Sequence, residues 1–179
     1  MLTAVILGPS FIEASAQIIK ALPYADILEI RCSLKKEDLQ ELRNQFTLPM
    51  IFKFPHAEDF LDLHPEYIDI DYGNPLLEQI LKQIRAQIDK KIRANIGAQI
   101  GSTKIILSHH DFEKTPDDLD GLYQKMCQHP AAFYKIAVMA NSCLDAWRLI
   151  SWSRRQDDKL IAISMGPHGE ASRILAPFS

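Results

Sequence analysis

No apolar run in this sequence approaches the roughly 20 residues that a membrane-spanning helix needs. The start, Met1-Leu2-Thr3-Ala4-Val5-Ile6-Leu7-Gly8, lacks a basic leader and stops at Gly-Pro, so it reads as a strand rather than a signal peptide. Cysteine is scarce: Cys32, Cys127 and Cys143 are odd in number and far apart. That excludes a disulfide framework and metal-ligand spacing, and it fits reduced thiols in the cytoplasm. Charge of one sign is missing too. Twenty basic and 23 acidic side chains leave a net charge of −3, too weak a field to suggest nucleic acid or an anionic membrane as partner. The basic clusters Lys90-Lys91 with Arg93, and Arg154-Arg155, sit in helix-like stretches and read as solvated faces. No Gly-x-Gly-x-x-Gly follows the first apolar segment, which removes support for a dinucleotide site.

What the chain does have is regular alternation. Seven short segments rich in Ile, Val, Phe and Tyr recur at 2–8, 25–32, 49–54, 67–72, 104–110, 133–139 and 160–166, and each is predicted as a strand. Helical patterns lie between them. Ser10 with Glu13 has capping-box spacing. Leu34, Leu39 and Leu42 suggest a second helix, and Leu77, Leu81, Ile84, Ile88 and Ile92 form the stripe of a long one over 75–94. Thr115-Pro116 reads as a cap with proline at the first helical position, and Ser142 opens another helix. Trp147 and Trp152 read as helix packing. Such alternation predicts βα units and a parallel sheet in one domain spanning 1–179.

Polar residues gather near the carboxyl ends of these strands: Glu29 and Arg31, Lys53, Asp69 and Asp71, Ser108 and His110, Lys135, and Ser164. Within each pair the spacing is two, which places both side chains on one face. Polar groups at the ends of nearly every strand are the pattern of a (β/α)8 barrel. Seven strands are visible where a barrel has eight, so the expected fold class is α/β, an incomplete TIM-type barrel.

Two segments carry the chemistry. Ser108-His109-His110-Asp111-Phe112-Glu113-Lys114-Thr115-Pro116 leaves a histidine where a strand ends. Tyr134-Lys135-Ile136-Ala137-Val138-Met139 puts one lysine inside an apolar strand. A lysine there is costly unless it pairs or reacts, because burial disfavours a charged side chain. A neutral amine with a histidine close by is the equipment of Schiff-base chemistry: the amine attacks a ketone and the imidazole moves protons. His109 points to the other strand face and reads as structural. His56, His64, His129 and His168 are assigned no role.

With Ile27-Leu28-Glu29-Ile30-Arg31, Ile68-Asp69-Ile70-Asp71 and Ile163-Ser164-Met165-Gly166 through Ser172-Arg173, these segments resemble, in order, type I 3-dehydroquinate dehydratase. That is a Schiff-base barrel enzyme of the shikimate pathway, which makes aromatic amino acids. The resemblance implies a lyase with no metal or organic cofactor. In it Lys135 forms the imine with the C3 ketone of 3-dehydroquinate. His110 removes the C2 proton and returns a proton to the departing C1 hydroxyl. Asp71 stands where the family has a glutamate that orients the histidine. Glu29 and Arg31 bind ring hydroxyls and Arg173 the substrate carboxylate, for which a fork of donors is suited.

The sequence departs from the family in three places. Asp71 is one methylene short, which predicts a longer or water-bridged contact with His110. Pro55 stands where the family has an arginine, leaving Lys53, two residues earlier, to supply the positive charge. The N-terminal hairpin and the eighth βα unit of the family are not seen, which suggests a truncation or the front of a longer chain. A homodimer and a covalent fusion to shikimate dehydrogenase both stay open. A different Schiff-base aldolase-type barrel would share Lys135 without explaining His110. The alternative from another class is a catalytically silent, quinate-binding regulatory homologue, which would need neither Lys135 nor His110.

Overall fold

All seven predicted strands form. The computed structural model describes residues 2–93 and 103–175, with backbone alone for 88–93 and 173–175. The chain divides into two compact units, Met1–Asp69 with Leu76–Lys104, and Ile70–Pro75 with Ile105–Ser179.

The first unit holds β1 (Thr3–Ile6), α1 (Phe11–Ala21), β2 (Ile27–Ile30), α2 (Lys36–Gln45), β3 (Met50–Phe52), most of β4 (Tyr67–Asp71) and α3 (Leu77–Arg93). A 3-10 segment, Ala57–Leu63, which the sequence pattern did not announce, joins β3 to β4. The strands pair in parallel and in sequence order, with Val5 level with Glu29, Glu29 with Ile51, and Phe52 with Ile68. Parallel strands are covered on both faces and so read as apolar runs, as β3 does and as β2 does but for the buried Glu29. Ile18 of α1, Leu28, Ile30, Leu39, Leu42, Phe52 and Ile68 are all fully buried. The predicted cap at Ser10 is present: Glu13 N–H donates to Ser10 Oγ, which donates in turn to the Glu13 carboxylate at 2.7 Å. On α3, Leu77, Leu81 and Ile84 are buried as the stripe requires, while the side chains of Ile88 and Ile92 lie outside the described residues. Arg43 of α2 forks onto Glu66 at 2.7 and 3.1 Å, and Met50 N–H donates to the same carboxylate at 2.7 Å. Burial pushes the Glu66 carboxyl up, but these donors outweigh it and hold it below its ordinary range.

In the second unit, β5 (Lys104–Asp111), β6 (Phe133–Met139) and β7 (Leu160–Met165) pair in parallel. They alternate with α4 (Leu119–Cys127), α5 (Cys143–Ser153) and α6 (Glu170–Leu175). Ser142 caps α5 by accepting from Asp145 N–H, as expected. Two expectations are corrected. The cap of α4 is Asp118, accepting from Gly121 N–H at 2.7 Å, and not Thr115, whose hydroxyl instead donates to Met139 O at 2.8 Å. Trp152 is buried and donates its indole N–H to Asp120 at 2.7 Å, whereas Trp147 is 58% exposed and packs no core. The helix buries Ala146, Leu149, Ile150 and Trp152, and Trp147 falls outside that stripe. Among the described residues, no helix is long and apolar enough to cross a membrane.

Candidate functional site

Strand register sorts the polar residues of the second unit. Ser108 lies level with Lys135, His110 with Ala137, and Lys135 with Ile161. Side chains level across parallel strands share a face, and faces alternate along each strand. One face therefore carries Ser108, His110, Lys135 and Ala137, and the other carries His109, Ile136, Val138 and Ser164. Lys135 is 5% exposed and Ser108 is fully buried beside it. Ser164, grouped by its sequence position with the site residues, is corrected: it is level with Val138, on the opposite face from Lys135. Its backbone is tied to Ser172, which accepts from Ser164 N–H at 3.2 Å and donates to Gly169 O at 2.7 Å. It serves the packing of α6 on β7.

The imidazole of His110 is held at one end only. Its Nδ1 lies 2.9 Å from Asp71 Oδ2, while the other Asp71 oxygen accepts from Gly73 N–H at 2.8 Å. The contact is direct, so the longer or water-bridged one expected from the shorter side chain does not occur. The end of β4 runs beside β5, with Tyr72 N–H donating to Ser108 O at 2.6 Å, and that proximity makes up for the missing methylene. A carboxylate accepts only, so Nδ1 carries the proton and Nε2 is left with a lone pair when the ring is neutral. His110 Nε2 is buried and has no hydrogen-bond partner among the described residues. A buried polar atom left unsatisfied needs a reason, and a base waiting for a substrate proton is one.

His109 is the contrast on the opposite face. Burial lowers its pKa below the ordinary histidine value, against the pull of the Asp71 and Asp111 carboxylates. Asp111 stays ionised below the usual carboxylate range. Burial pushes its carboxyl up, but the Lys114 and Glu113 N–H groups, each 2.9 Å from its Oδ1, together with His109 and the Lys114 charge outweigh that push. This turn carries Phe112, whose ring is stacked on His110 with centroids 5.9 Å apart and planes 11° from parallel. Sequence reasoning missed Phe112 as a neighbour of the site. The signal was there: Phe112 follows His110 at the same two-residue spacing used for every other pair.

The first unit places the other candidates. Glu29 is buried at the end of β2 and bonded to the Arg31 guanidinium, which is partly exposed. Lys53 Nζ lies 2.5 Å from Asp69 Oδ1, whose side chain is fully buried. Both pairs sit where strands end, and Lys53 is at that level while Pro55 lies beyond it. Arg173 falls within α6, but its side chain lies outside the described residues.

A model of the type I 3-dehydroquinase family matches residues 3–179. The chain belongs to that family. It is 33% identical over 192 residues to the shikimate biosynthesis protein AroDE of Chlamydia pneumoniae, a match that covers 99% of this chain and 37% of that relative. It therefore spans well under half the length of that protein. Among solved structures it is similar to the 3-dehydroquinate dehydratase of Aquifex aeolicus, with 27% identity and a TM-score of 0.75 over 99% of this chain and 85% of that one. It also shares its fold with the S. pombe AroM structure of dehydroquinate dehydratase and shikimate dehydrogenase, at 22% identity and a TM-score of 0.67 over 97% of this chain and 38% of that one. The fold class is the expected one: α/β, a TIM-type barrel that is incomplete in having seven strands among the described residues.

Proposed function

We propose that this type I 3-dehydroquinase chain dehydrates 3-dehydroquinate to 3-dehydroshikimate through an imine on Lys135. The observation that carries the reading is the buried Nε2 of His110, without a hydrogen-bond partner among the described residues, on the same strand face as the buried Lys135 and with its Nδ1 held by Asp71.

The Lys135 amine adds to the C3 carbonyl and water leaves, giving an iminium that draws electrons from C2. His110 Nε2 takes the C2 proton, and the electron pair enters the enamine. The pair then returns to expel the C1 hydroxyl, which takes the proton from His110 and departs as water. Hydrolysis of the conjugated imine frees the product and the amine. The lysine is the electron sink, so no cofactor takes part. Asp71 holds the imidazole in the tautomer that leaves Nε2 as base and steadies the imidazolium between the two transfers. Glu29 and Arg31 bind ring hydroxyls, Lys53 supplies the positive charge that the family's arginine gives there, and Arg173 takes the carboxylate as a two-pronged donor.

The S. pombe AroM structure joins dehydroquinate dehydratase and shikimate dehydrogenase, and it supports a longer polypeptide of that kind for this chain. The working compartment is the cytoplasm, in keeping with three cysteines outside any disulfide.

The test is direct. The purified chain is mixed with 3-dehydroquinate, and the conjugated enone product is followed by its ultraviolet absorbance, with and without borohydride. Turnover that borohydride stops only when substrate is present supports the reading. A chain that binds substrate, gives no product and resists borohydride is the silent binding homologue instead.

A further inference from the structure

We propose that Phe112 is a positioning residue for His110, holding the imidazole plane so that Nε2 stays aimed at the proton it removes. The inference rests on the dehydratase reading above.

Phe112 is 69% exposed, so burial of its ring does not explain its place. It is stacked on a His110 side chain that is itself only 10% exposed. A hydrogen bond at Nδ1 fixes one atom of the imidazole but leaves the ring free to swing about that contact, because the second torsion of histidine is broad. Nε2 has no partner among the described residues to stop the swing. A phenyl ring lying nearly parallel to the imidazole blocks rotation toward its side without offering Nε2 a competing hydrogen bond. Offset stacking of this kind is also mildly attractive.

The segment carrying Phe112 is anchored on both sides. Asp111 accepts from the two backbone N–H groups that follow Phe112. Asn141 Nδ2 donates to Glu113 O at 2.8 Å, and Arg148 donates to Thr115 O at 2.8 Å. Together with the Thr115 bond to Met139 O, these contacts tie the turn to the end of β6 and to α5. An exposed aromatic on an anchored turn is placed by its backbone rather than by a core, so its removal should spare folding.

Phe112→Ala and Phe112→Tyr are compared with the parent chain by steady-state kinetics, borohydride trapping and NMR of the histidine ring. Phe112→Ala should lower kcat about tenfold, less than the roughly hundredfold that a 1 Å misplacement of a reacting group can cost. KM should stay within about twofold, since positioning acts on the proton-transfer step and not on uniform binding. Imine trapping at Lys135 should persist. Phe112→Tyr should restore most of the rate. The ring C–H signals of His110 should broaden in the alanine variant and sharpen again in the tyrosine variant. A raised KM with unchanged kcat would make Phe112 a substrate contact and overturn the inference, as would parent-like kcat and ring signals in Phe112→Ala. A parent chain with no turnover would sink the dehydratase reading itself, while the ring signals would still decide what holds His110.

Discussion

The two units treat buried charge differently. In the first, Lys53 meets Asp69, Glu29 meets Arg31, and Glu66 is forked by Arg43. In the second, Asp71 engages one nitrogen of His110 and the other stays buried without a partner among the described residues. Such pairs hold groups still: Lys53–Asp69 joins neighbouring strands, Glu29–Arg31 lies along one strand, and Arg43–Glu66 ties α2 to the start of β4. A buried nitrogen with an open lone pair costs stability rather than adding to it, in keeping with the base role proposed for His110. Substitutions in the charge pairs of the first unit and at His110 of the second should therefore give different phenotypes.

The largest effect is expected at Lys135. Lys135→Ala should abolish turnover while the chain still folds, which a circular-dichroism melt run beside the assay checks. Activity remaining at parent levels would break the division between the units.

His110→Ala comes next. It should lose about 100- to 10,000-fold in kcat, the range for a lost general acid–base. It should still form the borohydride adduct, more slowly, and mass spectrometry reads that directly.

Asp71→Ala should cost about tenfold to a hundredfold in kcat, from a charged hydrogen bond worth about 1.5–3 kcal/mol. With the contact already direct at 2.9 Å, Asp71→Glu should bring no gain, because the longer arm must fold back to reach Nδ1. A faster Asp71→Glu enzyme would show that the aspartate is a weak substitute for the family's glutamate. Asp69→Asn sharpens the contrast: it should lower stability by about 1.5–3 kcal/mol by weakening the hold on Lys53. Denaturant melts should separate the two aspartates, with Asp71→Ala affecting rate and Asp69→Asn affecting stability.

The smallest effect concerns acid stability. The folded-state pKa of Glu66 lies below its unfolded value, so its ionised form favours the fold. That contribution is complete above the unfolded pKa of about 4.3 and fades as pH falls through the lower folded value. Glu66→Gln should therefore melt below the parent at neutral pH, and the gap should shrink as the pH is taken from about 5 toward 3. A gap independent of pH would mean that shape alone, and not charge, makes the Arg43 clamp.

Much of this arrangement is legible in the amino-acid sequence. The seven strands can be read because parallel strands are largely apolar, broken by single polar residues such as Glu29 and Lys135, and the caps at Ser10 and Ser142 because each has its partner three residues on. Thr115-Pro116 misled because Asp118, close behind, also caps well, and the threonine hydroxyl was taken by Met139 O across the sheet. Ser164 misled because proximity to a strand end says nothing of face until register is known. The length of the Asp71–His110 contact, and the pairing of Lys53 with Asp69, depend on which strand ends meet, and no local pattern encodes that. Phe112 was legible by spacing but overlooked, since an aromatic at a strand end is ordinarily core.

The most direct measurement is the location of the covalent adduct. The chain is reduced with borohydride in the presence of 3-dehydroquinate, digested, and mapped by tandem mass spectrometry. The account predicts one modified peptide, carrying the ligand mass on Lys135. An adduct on Lys53 or any other lysine, with Lys135 unmodified, would contradict it.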